Sequence, residues 1–426
     1  MKSGGRYPDL LIRNIGELAT LASPRPGPRA GRDLDDIAAV SNGAVVAAGG
    51  RIIAAGPDRE IAALFPPGPA TRQVDAGGRL VTPGLVDAHT HLVFAGARDD
   101  EFRLKIVDGL GYEEIEARGG GVPASVRLTR AAGMDDLLAQ ARPVLRRMMK
   151  NGATTIEAKS GYALNLEGEM RLLEAMRLLD REGPVEIVPT LFGAHDMPPE
   201  FVDRPDDFLE LIVTEMIPAA AARGLARFYD SGVTFSPEKT ERLFAAAKKF
   251  GLRPKVHADE FAHRGGAALA ARCGAVSAEH CLNSSADDLA AMRRAGVIAV
   301  LLPAVPLVHR LGRFVDARRF IAAGLAVALG TDFNPGCPVE SMSLVISLAC
   351  YTAGLSPAEA LAAATINAAH AIGRGDDLGS LEPGKQADLV VWDAPNHARL
   401  CANPSGGLAG LIVKKGEIVW ENDCRV

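Results

Sequence analysis

Val81-Thr82-Pro83-Gly84-Leu85-Val86-Asp87-Ala88-His89-Thr90-His91 runs from an apolar stretch into two histidines spaced two apart. On a β-strand residues i and i+2 share a face, so both imidazoles point the same way. Four later runs end similarly: Gly193-Ala194-His195, Val256-His257-Ala258-Asp259-Glu260, Ala278-Glu279-His280 and Gly330-Thr331-Asp332. In all, eight β-prone runs end near His91, Lys159, His195, Asp230, His257, His280, Pro303 and Asp332, alternating with helical patterns. Eight such units over roughly 290 residues predict an α/β fold, a TIM-type (β/α)8 barrel. A doubly wound sheet is the competing architecture, but no GxGxxG follows the first strand. Barrel enzymes carry their chemistry at the C-terminal strand ends, where these runs place imidazoles and carboxylates.

Outside the barrel both chain ends read as β structure. Residues 10–13, 43–47 and 51–55 are β-prone at the front, and 388–392 and 411–420 behind, the last turning at Lys415-Gly416. Neither end has enough strands for a domain of its own. One small β-sandwich formed by both termini is expected, residues 1–82 plus 376–426, beside a barrel of residues 83–375. Helices are well signalled. Ser236-Pro237-Glu238 opens one that Gly251 closes. Ser356-Pro357-Ala358-Glu359 is a capping box whose helix is predicted to run to about Gly373. Residues 134–150 and 168–181 are helical by composition.

Composition fits a globular chain of 426 residues, 48% apolar and 23% charged. Lys plus Arg is 47 against 52 for Asp plus Glu, with no basic stripe, which argues against nucleic-acid binding. Cys273, Cys281, Cys337, Cys350, Cys401 and Cys424 form no CxxC pair, so reduced thiols in a cytoplasmic protein are expected. The opening residues carry no apolar signal segment. The longest apolar run, 296–308, is broken by Pro303 and Pro306 and falls short of the ~20 residues of a membrane helix.

The chemistry follows from the strand ends. His89 and His91 on one face form half of a metal site, and His257 and Asp332 arrive from other strands to complete it. A His₃Asp set leaves a position for water, whose pKa a divalent cation lowers towards neutral. Glu260 and His280 are the remaining ionisable groups nearby, each suited to proton transfer. Glu260 equally suits orienting a ligand.

These residues resemble a known family. The stretch from Val81 to His91 resembles the first-strand signature of the amidohydrolase superfamily, and Gly330-Thr331-Asp332 its eighth-strand aspartate. Gly379-Ser380-Leu381-Glu382-Pro383-Gly384-Lys385 resembles the re-entry into its flanking β unit. The likeness narrows to the imidazolonepropionase family. It is carried by His91-Leu92-Val93-Phe94-Ala95-Gly96-Ala97-Arg98, Tyr112-Glu113-Glu114-Ile115, Glu157-Ala158-Lys159-Ser160-Gly161-Tyr162, His257-Ala258-Asp259-Glu260 and Phe333-Asn334-Pro335-Gly336. The resemblance implies hydrolysis of the ring amide of 4-imidazolone-5-propanoate to N-formimino-L-glutamate in histidine degradation. It implies one divalent ion, Zn²⁺ or Fe²⁺, on His89, His91, His257 and Asp332, with Glu260, His280 and Asp332 catalytic. It further implies that Arg98 and Tyr162 hold the substrate's carboxylate and that Tyr112 and His195 line the pocket. A homodimer is also implied. Arg is the preferred fork for a carboxylate, and Arg98 sits on the loop after the first barrel strand. Its other reading is a surface arginine near Asp99 and Asp100. Asn334 suits either a ligand hydrogen bond or the Asn-Pro-Gly turn.

Two departures bear on these expectations. Near Asp230-Ser231 the family usually shows Cys-Glu, and binuclear relatives carry a metal-bridging lysine there. The absence of lysine from that strand favours one metal, while Asp230 is a hard anionic donor that leaves a second ion open. After the seventh strand, Ala304-Val305-Pro306-Leu307 with His309 beyond replaces an aromatic loop. A relative acting on another carboxylated cyclic amide or amidine is therefore an alternative. Two more are a heterocycle aminohydrolase, told apart by ammonia release, and a non-catalytic interaction protein, told apart by indifference to metal. His263, His370 and His397 read as loop, packed helix and polar turn.

Overall fold

The computed structural model describes residues 7–232 and 234–422. Cys424 lies outside the described residues, as do the first six residues of the opening segment. Five strands precede the barrel: β1 (Leu10–Ala19), β2 (Ala39–Ala48), β3 (Arg51–Pro57), β4 (Arg72–Asp75) and β5 (Leu80–Pro83). The barrel strands are β6 (Leu85–Thr90), β7 (Ala153–Lys159), β8 (Glu186–Ala194), β9 (Phe228–Ser231), β10 (Arg253–Ala258), β11 (Ser277–His280), β12 (Ile298–Leu301) and β13 (Val327–Leu329). The chain returns to the first sheet as β14 (Leu389–Trp392), β15 (Ala409–Lys414) and β16 (Glu417–Glu421).

β6 to β13 pair in sequence order, each parallel to the next. All residues of β6, β7, β9, β11 and β12 are buried, as a sheet covered on both faces requires. The barrel closes just beyond the strand ends. The His91 amide donates to the Phe333 carbonyl at 2.7 Å, and the Asp332 amide donates to the His89 carbonyl at 3.0 Å. These two bonds put the last strand end beside the first.

The strands from both termini join in one eight-stranded sheet. Its two contributions meet where β14 pairs antiparallel with β5, which also pairs with β1. Ile12, Val45, Val81, Leu389, Val391 and Val413 share its apolar cluster. Trp392 couples this sheet to the barrel. It is fully buried in the barrel's cluster, and its indole donates to Thr82 Oγ1 at 2.9 Å. The ring lies against Gly152, just before β7, where a Cβ would collide with it.

The helix starting at Ser236 forms as expected, over Pro237–Lys249, with the serine side chain accepting from the Lys239 amide. The helix expected to reach Gly373 does not form as one piece. It stops at Ala363 and resumes over Ile366–Ala371. The cause lies in the barrel: the Val86 amide of β6 takes the Ala364 carbonyl at 2.9 Å, and Thr365 leaves helical geometry at φ −127° and ψ −92°. Among the described residues no helix is long and apolar enough to cross a membrane. The five cysteines described are free thiols.

Trp392→Ala removes a large buried ring and a buried hydrogen bond. It is expected to lower stability by about 3–5 kcal/mol, read as a lower urea midpoint; an unchanged midpoint would contradict the coupling role of Trp392.

Candidate active site

The site is built at the barrel's closing seam. Asp87 of β6 is fully enclosed and accepts from the Thr331 amide at 3.0 Å and the Thr331 hydroxyl at 2.6 Å. With its amide on the His89 carbonyl, Asp332 takes a left-handed backbone at φ 53°, a conformation that costs a non-glycine residue. Its carboxylate is thereby aimed inward. Asp332 Oδ1 lies 3.2 Å from His89 Nε2 and 3.6 Å from His91 Nε2. Two donors on one tetrahedral ion, each about 2.1 Å from it, stand about 3.4 Å apart. The His257 ring centroid is 4.7 Å from that of His89 and 5.5 Å from that of His91. Donor atoms of His89, His91 and Asp332 fall within 4.8 Å of one another, and those of His89, His257 and His280 form a second such group. His89 belongs to both groups, which between them contain the four expected ligands His89, His91, His257 and Asp332. His89 Nε2 and Asp332 Oδ1 are buried without a hydrogen-bond partner. Buried polar atoms are costly when left so, and this donor chemistry fits a divalent cation.

Beneath these donors lies a layer of buried charge. His89 Nδ1 faces Glu279 Oε2 at 2.7 Å, and His257 Nδ1 faces Asp230 Oδ2 at 3.1 Å. A carboxylate on Nδ1 orients an imidazole and directs its Nε2 to the metal. Lys159 Nζ donates to Glu157 Oε1 at 2.9 Å and pairs with Asp230 Oδ2 at 2.8 Å and Glu279 Oε2 at 2.9 Å. Lys255 Nζ lies 2.6 Å from Glu279 Oε1. Burial opposes the Lys159 charge, yet Asp230, Glu157 and Glu279 outweigh it and hold the ammonium well above the ordinary lysine range. Sequence reasoning did not assign Lys159, Lys255, Glu157 or Glu279 to the site. Their signal was the alternation of polar residues, Glu157 with Lys159 and Ser277 with Glu279, along otherwise apolar strands.

Above the donors opens a pocket lined by His91, Arg98, Tyr112, Tyr162, His195, His257, Glu260, His280, Asp332 and Asn334. Arg98 is no surface arginine: its side chain is 5% exposed and its Nε donates to Glu101 Oε2 at 3.1 Å. Glu101 in turn accepts from the Gly121 amide at 2.8 Å. Among the described residues no acceptor engages the Arg98 Nη atoms. The Tyr162 ring sits 5.1 Å from that of His195 and 5.7 Å from that of His91. His195 Nδ1 is 3.0 Å from the Gly161 carbonyl oxygen, and burial lowers this imidazole to about 3, so it is neutral. Asn334 lines the pocket, but its side chain shapes the turn. It donates to the Asp332 carbonyl at 2.9 Å and accepts from the Gly336 and Cys337 amides.

Glu260 keeps a quarter of its side chain exposed and lies 3.7 Å from His280 Nδ1. Burial first, and the Asp332 charge second, push its carboxyl up to about 8. His280 holds a left-handed backbone at φ 66°, and its Nε2 is buried without a partner. The pocket wall also contains Phe261 and His309, which sequence reasoning did not assign to it. Phe261 stacks on Tyr112 at 5.5 Å, and His309 meets Tyr112 edge-on at 5.8 Å. His309 follows the helix Ala304–Val308, the segment that departs from the family pattern. Away from the pocket, His263 pairs with Asp288 at 2.8 Å and His397 with Glu17 at 2.7 Å. His370 is half-buried.

Comparison with known proteins identifies the family. The family profile described as "Amidohydrolase family" matches residues 80–419. An imidazolonepropionase of Symbiobacterium thermophilum is 47% identical, the match covering 96% of this chain and 97% of that protein. One from Geobacillus kaustophilus is 45% identical, covering 98% and 99%. Among solved structures, a zinc-bound adenosine deaminase of Xanthomonas campestris superposes with TM-score 0.73 at 20% identity, covering 97% of this chain and 93% of that one. At that identity the likeness shows the fold.

His91→Ala and Asp332→Ala are expected to weaken zinc binding by more than the roughly 10–100-fold that loss of an outer partner costs. Competition with a chelator measures this, with circular dichroism unchanged. Wild-type zinc affinity in both variants would remove these residues from the ligand set.

Proposed function

The chain belongs to the amidohydrolase family, among its imidazolonepropionases, and from that premise we propose how its residues perform the reaction. The enzyme is a hydrolase of the cyclic amide C–N bond. It opens the ring of 4-imidazolone-5-propanoate to give N-formimino-L-glutamate, a step of histidine degradation. The supporting observation is that the donor set, an unengaged guanidinium edge and the Glu260 carboxyl beside His280 all line one pocket.

In this proposal His89, His91, His257 and Asp332 hold one divalent cation, zinc or iron. That cation supplies Lewis-acid activation of a water at neutral pH. Asp332 also orients the attacking water. Arg98 grips the substrate's propionate with its free Nη edge while Glu101 fixes its Nε, and Tyr162 packs beside that carboxylate. Tyr112 and the neutral His195 flank the ring, with Asn334 setting the turn beneath it. Glu260 accepts a proton from the water at its carboxylate and returns it to the ring nitrogen as the C–N bond breaks. His280 hydrogen-bonds the carbonyl oxygen as charge develops there. His309 and Phe261 supply the wall that the altered segment at residues 304–307 leaves without aromatic groups. The same proposal divides the chain into residues 83–375 for the hydrolase barrel and residues 1–82 plus 376–426 for the flanking β unit. It includes a homodimer in the cytoplasm.

The test is turnover of freshly prepared 4-imidazolone-5-propanoate, following ring opening and ammonia together. Ring opening without ammonia is expected; stoichiometric ammonia would place the enzyme with the aminohydrolases. Arg98→Ala is expected to lower kcat/KM roughly 10–100-fold, mainly through KM. Normal kinetics in that variant would rule out the clamp.

A further inference from the structure

Asp230, Glu279 and His257 present donor atoms within 4.8 Å of one another, the two carboxylates lying on the Nδ1 side of His257, itself one of the four proposed ligands. Two carboxylates and an imidazole at that spacing make a second cation site by composition. Yet both carboxylates already face a cation. Lys159 Nζ stands 2.8 Å from Asp230 Oδ2 and 2.9 Å from Glu279 Oε2, and is anchored from the third side by Glu157 at 2.9 Å. The ammonium and all three carboxylates are fully buried. The acids come from three different strands, β7, β9 and β11, so the charge ties the barrel interior together across its width. A divalent ion on Asp230 and Glu279 would sit on the same two oxygens as this ammonium. Inside a barrel the two positive charges would repel with little screening, and the ammonium is tethered and cannot leave.

We propose that Lys159 stands in the place of a second metal ion: its tethered ammonium neutralises Asp230 and Glu279, keeps the site to one ion, and holds those carboxylates against His257 and His89. Lys159 is thus a positioning residue that touches neither substrate nor cation. The lysine missing from the fourth strand is replaced in charge, though not in ligation, by one from the second. This inference rests on the metal-binding reading of the preceding section.

The test titrates the metal-free chain with zinc alone and counts ions per chain, for wild type, Lys159→Ala and the volume-preserving Lys159→Met. Wild type is expected to take one ion. Each folded variant is expected to take two, the second being lost when Asp230→Asn is added. Two ions in wild type, or a folded variant that takes one ion with wild-type affinity, overturn the proposal. No zinc bound to wild type would instead bring down the metal-binding reading itself. Cobalt in place of zinc gives an independent readout: visible absorption should report one coordination environment in wild type and a second in the variants, and identical spectra would also overturn the proposal.

Discussion

The hydrogen bonds from Thr331 to Asp87 are the constraint on which the pocket depends. They reinforce the seam where the backbone bonds of His91 and Asp332 join the last barrel strand end to the first. Next to that contact Asp332, its amide on the His89 carbonyl, takes a left-handed backbone and points its carboxylate at two histidines. Such a conformation costs on the order of 1–3 kcal/mol. Each buried hydrogen bond contributes about 0.5–1.5 kcal/mol, more when the acceptor is ionised, and Asp87 accepts two from Thr331. Burial pushes Asp87 up to about 7, opposed by those bonds and by the His89 amide. Barrel closure thus sets Asp332 beside His89, backbone to backbone and carboxylate to imidazole.

The barrel interior then solves a problem of charge. Three carboxylates below the histidines face two ammonium groups, Lys159 and Lys255, all fully enclosed. Unpaired, any one of them would be strongly destabilising. Paired, they form a rigid floor on which the Nδ1 side of His89 and of His257 rests. The Nε2 atom of His89 is left facing Asp332. Polarity thus changes character with depth: fixed ion pairs at the bottom, donors with unused capacity above, and a mixed aromatic and cationic mouth formed by Tyr112, Phe261, His309 and Arg98.

Much of this was legible in the residues. Strand ends carry an unmistakable pattern because a His or Asp closing an apolar run has no packing reason to be there, and all eight barrel strands lie where those runs predict. The β unit from both termini was equally legible, through short Gly-punctuated runs too few to stand alone. What escaped depends on contacts between distant segments. Lys159 was legible as a strand end, but its three acidic partners come together only once β7, β9 and β11 are side by side. The break at Ala364 and Thr365 is caused by the Val86 amide, far away in sequence, against a local pattern that favours continuous helix. His309 reaches the pocket because the helix Ala304–Val308 turns it inward, and nothing in its neighbours announces that. Asn334 was balanced between two roles by its motif, and the turn takes its side-chain donor and acceptor.

The central claim is that one cation sits where Asp332 meets the histidines of β6 and β10. Anomalous diffraction at the zinc edge from crystals of the zinc-loaded chain tests it most directly. The account requires a single peak within bonding distance of His89, His91, His257 and Asp332. A peak lying instead between Asp230 and Glu279, or no ordered peak at the seam, would contradict it.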